Sequence, residues 1–330
     1  MKEVMKFNNV YIKSSVALGG PKEAKGPLNH LFDELYNDLH MGQKTFEGAE
    51  IYLQKEVIAK LLQKTNLMAE DIEAVFGGDL INQVVVSNYA LREYEIPFVG
   101  LFGACSTSVL GMLVGSLYLD RCENSYAISL TSSHNATSER QFRNPTEYGG
   151  AKVKSVTSTV TGAAGFLLTN EKTDIKVSAG LFGKIIDIGL TDMFDMGRAM
   201  APAACETLIE FFEKTKTLPK DYDLILTGDL SEYGSNIVRE VLNERYNYSV
   251  NYNDCGLMIY DRTRQNVFAG GSGCACCATV MATYVINEFK NKKLDKVLIA
   301  ATGALMNQMM TLQKESIPAI SHVVLLERVK

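Results

Sequence analysis

The sequence lacks the excess of basic residues that nucleic-acid binding requires. It has 33 Lys and Arg residues against 38 Asp and Glu residues, which gives a net charge of −5, whereas a nucleic-acid partner needs a basic face. Nowhere do Lys and Arg cluster densely enough to resemble a polybasic membrane anchor. We therefore expect no nucleic-acid partner.

Long apolar runs are also missing. No stretch reaches the roughly 20 apolar residues that a membrane-spanning helix needs, and the N-terminal segment has no apolar core of the kind found in signal peptides. We expect no signal peptide and no transmembrane segment, and a protein that is soluble or peripheral to a membrane. The composition, 46% hydrophobic and 22% charged, is that of a globular protein.

The cysteines do not form a disulfide or metal framework. Their number, seven, is odd, and three crowd into the CACC segment at residues 274–277, so we infer a reducing compartment at synthesis. Structural zinc usually needs two separated pairs of ligands, and CACC has no second pair or histidine nearby. Small-residue packing in a helix is the favoured interpretation. We expect no metal site, since no loop has calcium-ligand spacing either.

One stretch, residues 96–119, organises the chain. A short apolar run leads to Gly103, Ala104 and Cys105, and a helix that is apolar on almost every face follows. Such a helix must be buried on all sides. The pattern predicts a strand, a tight turn and a buried helix, with Cys105 beside unpaired helix N–H groups that favour anions. A small apolar Cys packed in the core is the competing interpretation.

The two halves of the chain repeat one unit of about 160 residues. Asp79 and Leu80 match Asp229 and Leu230 at an offset of 150 residues. Four blocks match in the same order: 69–80 with 218–230, 96–119 with 270–286, 126–131 with 296–301, and 165–170 with 322–328. Each unit alternates strands and helices and has one helix that must be buried, so two such helices can bury each other only between two sheets.

The repeat therefore predicts an α/β fold with a duplicated five-layer αβαβα arrangement. We place the N-terminal half at residues 1–172, with the Cys105 turn and a loop at 132–149, and the C-terminal half at 173–330. This plan, with Cys on the turn before the first buried helix, resembles the thiolase fold of thiolases and ketoacyl synthases.

Longer motifs narrow the resemblance. GPKEAKGPL at residues 20–28 (by pattern alone a surface turn), GACSTS at 103–108, SSHNATSERQFRNPTEYG at 132–149 and TGDL at 227–230 together resemble the stage V sporulation protein AD family of endospore-forming bacteria. The resemblance implies binding of dipicolinic acid (pyridine-2,6-dicarboxylate) and a part in its uptake into the developing spore. It also implies partners among the other stage V sporulation A proteins and a peripheral place at the inner spore membrane.

The acyl-transfer machinery of thiolase-fold enzymes does not carry over. Those enzymes use a Cys nucleophile with His and His, or His and Asn, from the second half. Here the corresponding turns, 227–229 and 270–273, hold neither residue type, and the second half has a single histidine, His322. We expect the pocket to be kept and the catalysis lost, so that the protein is not an enzyme and has no cofactor.

One histidine keeps the question of catalysis open. His134 follows the strand at 126–131 in the same half as Cys105, and it could approach the thiol as a substitute base. The favoured interpretation is a histidine that is hydrogen-bonded in a loop or lines a pocket.

Six residues are candidates for binding a small dianion. Arg140 and Arg143, three residues apart, can each bind one carboxylate of the ligand, and the neighbouring Glu147 can orient one of these arginines. The candidates are Cys105, His134, Arg140, Arg143, Glu147 and Arg198. Calcium, if present, is expected to arrive as the chelate of dipicolinate.

The leading hypothesis is therefore a non-catalytic dipicolinate-binding protein. The alternatives are a thiolase- or ketoacyl-synthase-like acyltransferase with Cys105 as nucleophile, and a scaffold of a membrane-bound complex with a vestigial pocket. The resemblance to thiolases also implies a homodimer.

Overall fold

The computed structural model describes residues 3–123, 125–143, 149 and 151–329. The described strands are β1 Met5–Lys6, β2 Tyr11–Gly19, β3 Glu34–Leu35, β4 Ile72–Gly78, β5 Phe98–Gly100, β6 Tyr126–Ser133, β7 Ser158–Thr159, β8 Gly162–Thr169, β9 Ile175–Ile186, β10 Leu224–Thr227, β11 Tyr252–Asp254, β12 Gly271–Ser272, β13 Lys296–Ala304 and β14 Ala319–Arg328. The described α-helices are α1 Phe46–Thr65, α2 Val85–Leu91, α3 Thr107–Leu119, α4 Asn135–Phe142, α5 Met196–Thr215, α6 Ser231–Tyr246, α7 Cys255–Met258, α8 Cys274–Val280, α9 Ile286–Lys290 and α10 Gln308–Leu312. A π-helical turn, Met281–Val285, joins α8 to α9.

The sheet repeats the same strand order in each half. One path runs β5-β4-β6-β8-β2 and then β9-β14-β13-β10-β11, so the second half mirrors the first strand for strand. The two halves meet where Tyr11 of β2 pairs with Lys176 of β9. In the first half β5 and β6 both run parallel to β4, and β8 is antiparallel to β6. In the second half β11 and β13 both run parallel to β10, and β14 is antiparallel to β13.

Helices lie in three layers around these two half-sheets. Helix α1 packs on the first half-sheet and α5 on the second, each with its own apolar cluster. Helices α3 and α8 contact each other between the half-sheets, and α3 touches strands of both. Most of α3 is buried, but Leu110, Val114 and Leu117 are half-buried and Tyr118 is exposed, so the prediction that this helix is buried on every side is wrong for that one face. The five-layer thiolase-like α/β fold is confirmed.

The outer helices of the two halves are capped alike. Thr45 accepts a hydrogen bond from the N–H of Gly48 at the start of α1, and the Asp195 carboxylate accepts one from the N–H of Arg198 at the start of α5. Each helix ends on a left-handed residue, Asn66 or Lys216. These are ordinary start and stop signals, and they fix both helices at 20 residues.

The prediction of a loop at residues 132–149 is wrong over its described part. Strand β6 continues to Ser133, and α4 occupies Asn135–Phe142. The helix forms because His134 caps its first turn by accepting from the N–H of Ala136, and because this segment contains no Gly or Pro.

The boundary at residue 172 falls in the connection between β8 and β9. The two halves share the apolar cluster around α3 and α8, and the division into two domains stays a prediction. In the part of the chain that the structure describes, no helix has both the length and the apolar character needed to cross a membrane.

Candidate functional site

Cys105 lies on a tight turn between β5 and α3. Ala104, just before it, has a φ of 49°, in the left-handed region that non-glycine residues seldom adopt. The thiol is 7% exposed. The turn is held from the second half, because a Cβ placed on Gly303 of β13 would lie 2.3 Å from the carbonyl oxygen of Gly103. Cys105 is therefore positioned by both copies of the repeat.

A cavity opens next to Cys105, between the two halves. Its walls include Arg143 from the first half and Gly273 and Met306 from the second. The enclosed part measures about 30 Å³, which is room for a water molecule or two. The cavity opens to solvent at its mouth. A ligand larger than a water molecule would therefore occupy the mouth as well as the enclosed part.

Among the described residues of the cavity wall, Arg143 is the charged one, and its side chain is buried. Its side chain is 3% exposed, and one guanidinium nitrogen, Nη2, lies 2.8 Å from Oε1 of Glu139, which is 5% exposed. Among the described residues, the other two guanidinium nitrogens of Arg143, Nε and Nη1, have no hydrogen-bond acceptor, and Oγ of Ser138, another lining residue, has no partner. Burial lowers the pKa of Arg143. Buried polar groups are normally hydrogen-bonded, so these atoms mark a site for a polar ligand.

A carboxyl group lies behind Cys105. Asp229 is fully buried, and its Oδ2 accepts a hydrogen bond of 2.8 Å from the N–H of Gly273. Burial raises the pKa of Asp229 to about 8. Burial, together with the nearby Asp229, raises the pKa of the Cys105 thiol well above its ordinary value. The nucleophilic form of cysteine is the thiolate, and this environment disfavours it.

Asp79 is the residue of the first half that corresponds to Asp229 in the repeat, and the two aspartates make different hydrogen bonds. Asp79 accepts from the N–H of Ile81 and from both the N–H and the hydroxyl of Ser87, at 2.7 to 2.9 Å, and so it holds the start of α2. In the second half the residue that holds the corresponding helix start is Asp254, which accepts a hydrogen bond from the N–H of Ser231 at the start of α6. Asp229 is left with Oδ1 unbonded and with Cys105 as a neighbour.

Of the five predicted ligand residues that the structure describes, it brings two together. Cys105 and Arg143 line the same cavity. Glu147 lies outside the described residues. The remaining three are placed elsewhere, as follows.

His134 is buried and caps α4. Its Nε2 lies 2.9 Å from the carbonyl oxygen of Leu39, and its Nδ1 accepts from Ala136. Burial lowers its pKa to about 4, so the ring is neutral at physiological pH. None of the described residues that line the cavity is a histidine.

Arg140 and Arg198 are half-exposed, each 48% in the side chain, and each is engaged with an acid. Arg140 pairs with Glu47, and Arg198 pairs with Asp195 and stacks on the ring of Tyr233 at 4.7 Å. Neither lines the cavity. A direct contact between a ligand and either residue stays a prediction.

Two lysines near the cavity were not identified from the sequence. Lys152 lies 3.4 Å from Oε1 of Glu139, and Lys22 interacts electrostatically with both Lys152 and Glu139. Lys22 belongs to the segment predicted to be a surface turn, yet Glu23 beside it is fully buried. The only sequence signal was the GPKEAKGPL motif itself.

Comparisons with known proteins agree with this architecture. The family model of stage V sporulation protein AD matches residues 2–327. Stage V sporulation protein AD of Bacillus subtilis (strain 168) is 47% identical over 320 residues, which cover 97% of this chain and 94% of that protein.

Solved structures of low identity share the fold. Cerulenin-bound OleA of Xanthomonas campestris superposes with a TM-score of 0.58 at 12% identity, covering 97% of this chain and 98% of that one. The 3-oxoacyl-[acyl-carrier-protein] synthase III of Aquifex aeolicus VF5 gives a TM-score of 0.51 at 12% identity, covering 98% and 99%. These likenesses show a thiolase-like fold, and the family match shows that the chain belongs to the stage V sporulation protein AD family, a family of sporulation proteins.

Proposed function

We propose that the protein binds dipicolinic acid without chemically changing it, in the cavity between Cys105 and Arg143. The observation that carries this proposal is the buried guanidinium of Arg143, whose Nε and Nη1 have no acceptor among the described residues. Burying a charged group without its full set of partners is unfavourable. A ligand carboxylate supplies those acceptors.

The chemistry of the cavity fits an anion better than a neutral ligand. Unused donors predominate among the described residues, since Arg143 offers N–H groups and Ser138 a hydroxyl, and Lys152 adds positive charge at the same oxygen of Glu139 that Arg143 contacts. Each charge-assisted hydrogen bond contributes roughly 1.5–3 kcal/mol. Two or three of them, together with apolar contact of the pyridine ring with the cavity wall, bring micromolar affinity within reach.

The state of Cys105 supports a binding protein rather than an acyltransferase. Acyl transfer needs an activated thiolate and a base. Here burial and Asp229 hold the pKa of the thiol high, and the neighbouring group is a carboxyl whose own pKa is raised to about 8. The acyltransferase hypothesis would require Asp229 to act as an unusual base.

The wider role that we propose is supported by the family match. A sporulation protein that holds dipicolinate would deliver it during its uptake into the developing spore, working at the inner spore membrane with the other stage V sporulation A proteins. The ligand would arrive free or as its calcium chelate.

A homodimer is part of the same proposal. Strand β5 lies at the edge of the sheet and leaves Val99 42% exposed, so this strand is available for pairing with a second copy of the chain.

Isothermal titration calorimetry tests the proposal. Dipicolinate and its isomer pyridine-3,5-dicarboxylate are titrated into the wild-type protein, Arg143→Gln and, as a matched control from the same helical segment, Arg140→Gln. We expect tight binding of the 2,6 isomer alone, a loss of about 10-fold or more in Arg143→Gln, and little change in Arg140→Gln.

Two other outcomes of these experiments would contradict the proposed binding function. No heat and no shift in the melting temperature of the wild-type protein with dipicolinate would overturn the binding function. Covalent labelling of Cys105 by an acyl-CoA, abolished in Cys105→Ser, would then establish the acyltransferase instead.

A further inference from the structure

A fully buried carboxyl group, that of Asp229, lies directly behind the cavity wall. Its Oδ2 accepts a hydrogen bond of 2.8 Å from the N–H of Gly273, and the thiol of Cys105 is another neighbour. Gly273 and Cys105 both line the cavity. Two of the residues next to Asp229 are therefore residues that a ligand in the cavity would touch.

No positively charged side chain acts on Asp229 in the described part of the chain. The titratable groups around it are Cys105 on the turn before α3, Asp254 at the end of β11, and Cys274 and Cys276 on α8. Each of these groups is neutral or negative. An ionised Asp229 therefore has no counter-ion among them, which makes its ionisation unfavourable.

The ionisation state of Asp229 decides whether a negative charge lies behind the cavity wall. Burial raises the pKa of this carboxyl to about 8, so it is neutral at pH 7 and becomes charged as the pH rises further. A charge there opposes an anion in the cavity, whereas the guanidinium of Arg143 on the wall attracts one. Because water screens buried charges little, an anion in the cavity raises the pKa of Asp229 still further.

We propose that Asp229 takes up a proton from water when a dianionic ligand enters the cavity, so that binding and protonation favour each other. This inference rests on the proposed function and adds its regulation by pH. The coupling is reciprocal: deprotonation of Asp229 weakens binding, and a bound ligand keeps Asp229 protonated. Affinity is therefore independent of pH where the carboxyl is already neutral, and it falls as the pH rises through the range in which the carboxyl ionises.

Calorimetric titration of dipicolinate at pH 6.5, 7.5 and 8.5, in two buffers of different ionisation enthalpy, counts the protons taken up for each ligand bound. It is carried out on the wild-type protein, Asp229→Asn and Glu50→Gln. Glu50 is a matched control, because it is a fully buried carboxyl whose pKa is also raised to about 8 and it does not line the cavity. Melting temperatures verify that each variant is folded.

We expect proton uptake by the wild-type protein to rise from nearly zero at pH 6.5 to about 0.7 proton per ligand at pH 8.5. Over the same range its affinity should fall about 4-fold. Asp229→Asn should take up no proton and keep the same affinity at all three pH values, since asparagine resembles the neutral acid. Glu50→Gln should behave as wild type.

The outcomes separate the inference from the function on which it rests. If the wild-type protein binds no dipicolinate at any of these pH values, the proposed function fails. If it binds dipicolinate with neither proton uptake nor a fall in affinity at pH 8.5, the function stands and the inference is overturned. Proton uptake that persists in Asp229→Asn, or that disappears in Glu50→Gln, also overturns the inference, because another group then takes up the proton.

Discussion

Replacing Asp229 by Asn should make the protein more stable at neutral and alkaline pH. Asn is nearly the same size and can keep the hydrogen bond that Oδ2 of Asp229 accepts from Gly273 at 2.8 Å. What it removes is a fully buried carboxyl whose charged form has no counter-ion among the described residues. The substitution therefore isolates the effect of ionisation from that of packing.

The size and sign of the effect follow from the two pKa values. The pKa of Asp229 is about 8 in the folded protein against an ordinary value of 3.8. Well below pH 3.8 the carboxyl is neutral in both the folded and unfolded states. As the pH rises from 4 to 8 the unfolded state loses its proton first, and the free energy of unfolding falls by about 1.4 kcal/mol per pH unit. The full gap corresponds to about 6 kcal/mol as an upper limit, against a total stability of about 5–15 kcal/mol for a typical protein.

Urea denaturation followed by circular dichroism measures this difference. The free energy of unfolding is determined at pH 5, 6, 7 and 8 for the wild-type protein, Asp229→Asn and a control, Asp174→Asn, at an exposed aspartate in the β8–β9 connection. We expect the advantage of Asp229→Asn over wild type to grow by up to about 4 kcal/mol between pH 5 and pH 8. The control should parallel wild type throughout.

A constant difference between wild type and Asp229→Asn across this range would refute the reasoning. It would mean that Asp229 is already ionised in the folded protein at pH 5, as an unburied aspartate is. The argument that Cys105 is held as a thiol by its surroundings would then lose its electrostatic basis.

Three further changes test other parts of the site. Gly303→Ala should weaken dipicolinate binding about 10-fold or more, because its Cβ would lie 2.3 Å from the carbonyl oxygen of Gly103 and displace the Cys105 turn; unchanged calorimetric affinity would show that the turn is not held from this strand. His134→Ala should lower stability in urea by about 1 kcal/mol through loss of a helix cap and leave affinity nearly unchanged, whereas a large fall in affinity with intact stability would make His134 a ligand residue. Iodoacetamide at pH 7.5 should label Cys122 well before the buried Cys105, and mass spectrometry showing the reverse order would contradict a thiol of raised pKa.

The fold could be predicted because the apolar residues follow helix and strand periodicities and because the two halves of the sequence repeat the same pattern. The match of Asp79 with Asp229 at an offset of 150 residues marks equivalent turns after β4 and β10, and the apolar pattern of residues 107–119 was sufficient to place α3 between two layers. Local signals such as these do not depend on what lies across the molecule.

The site could be predicted only in part, because its cavity is built from distant segments. Cys105 and Arg143 were identified since each lies in a distinctive motif. Asp229 was matched to Asp79 but not placed beside the site, because its position behind the cavity wall depends on Cys105 in the other half and on Gly273. Arg140 looked equivalent to Arg143, but α4 turns the two side chains to different surroundings, one to Glu47 and one to the cavity.

The different hydrogen bonds of Asp79 and Asp229 mean that the two aspartates tolerate substitution differently. Asp79 holds the start of α2, so its replacement costs about 1 kcal/mol through the loss of a helix cap. In the second half Asp254 holds the start of α6, and Asp229 has no such duty. The repeat therefore leaves one aspartate, the neighbour of Cys105, that can be exchanged without uncapping a helix.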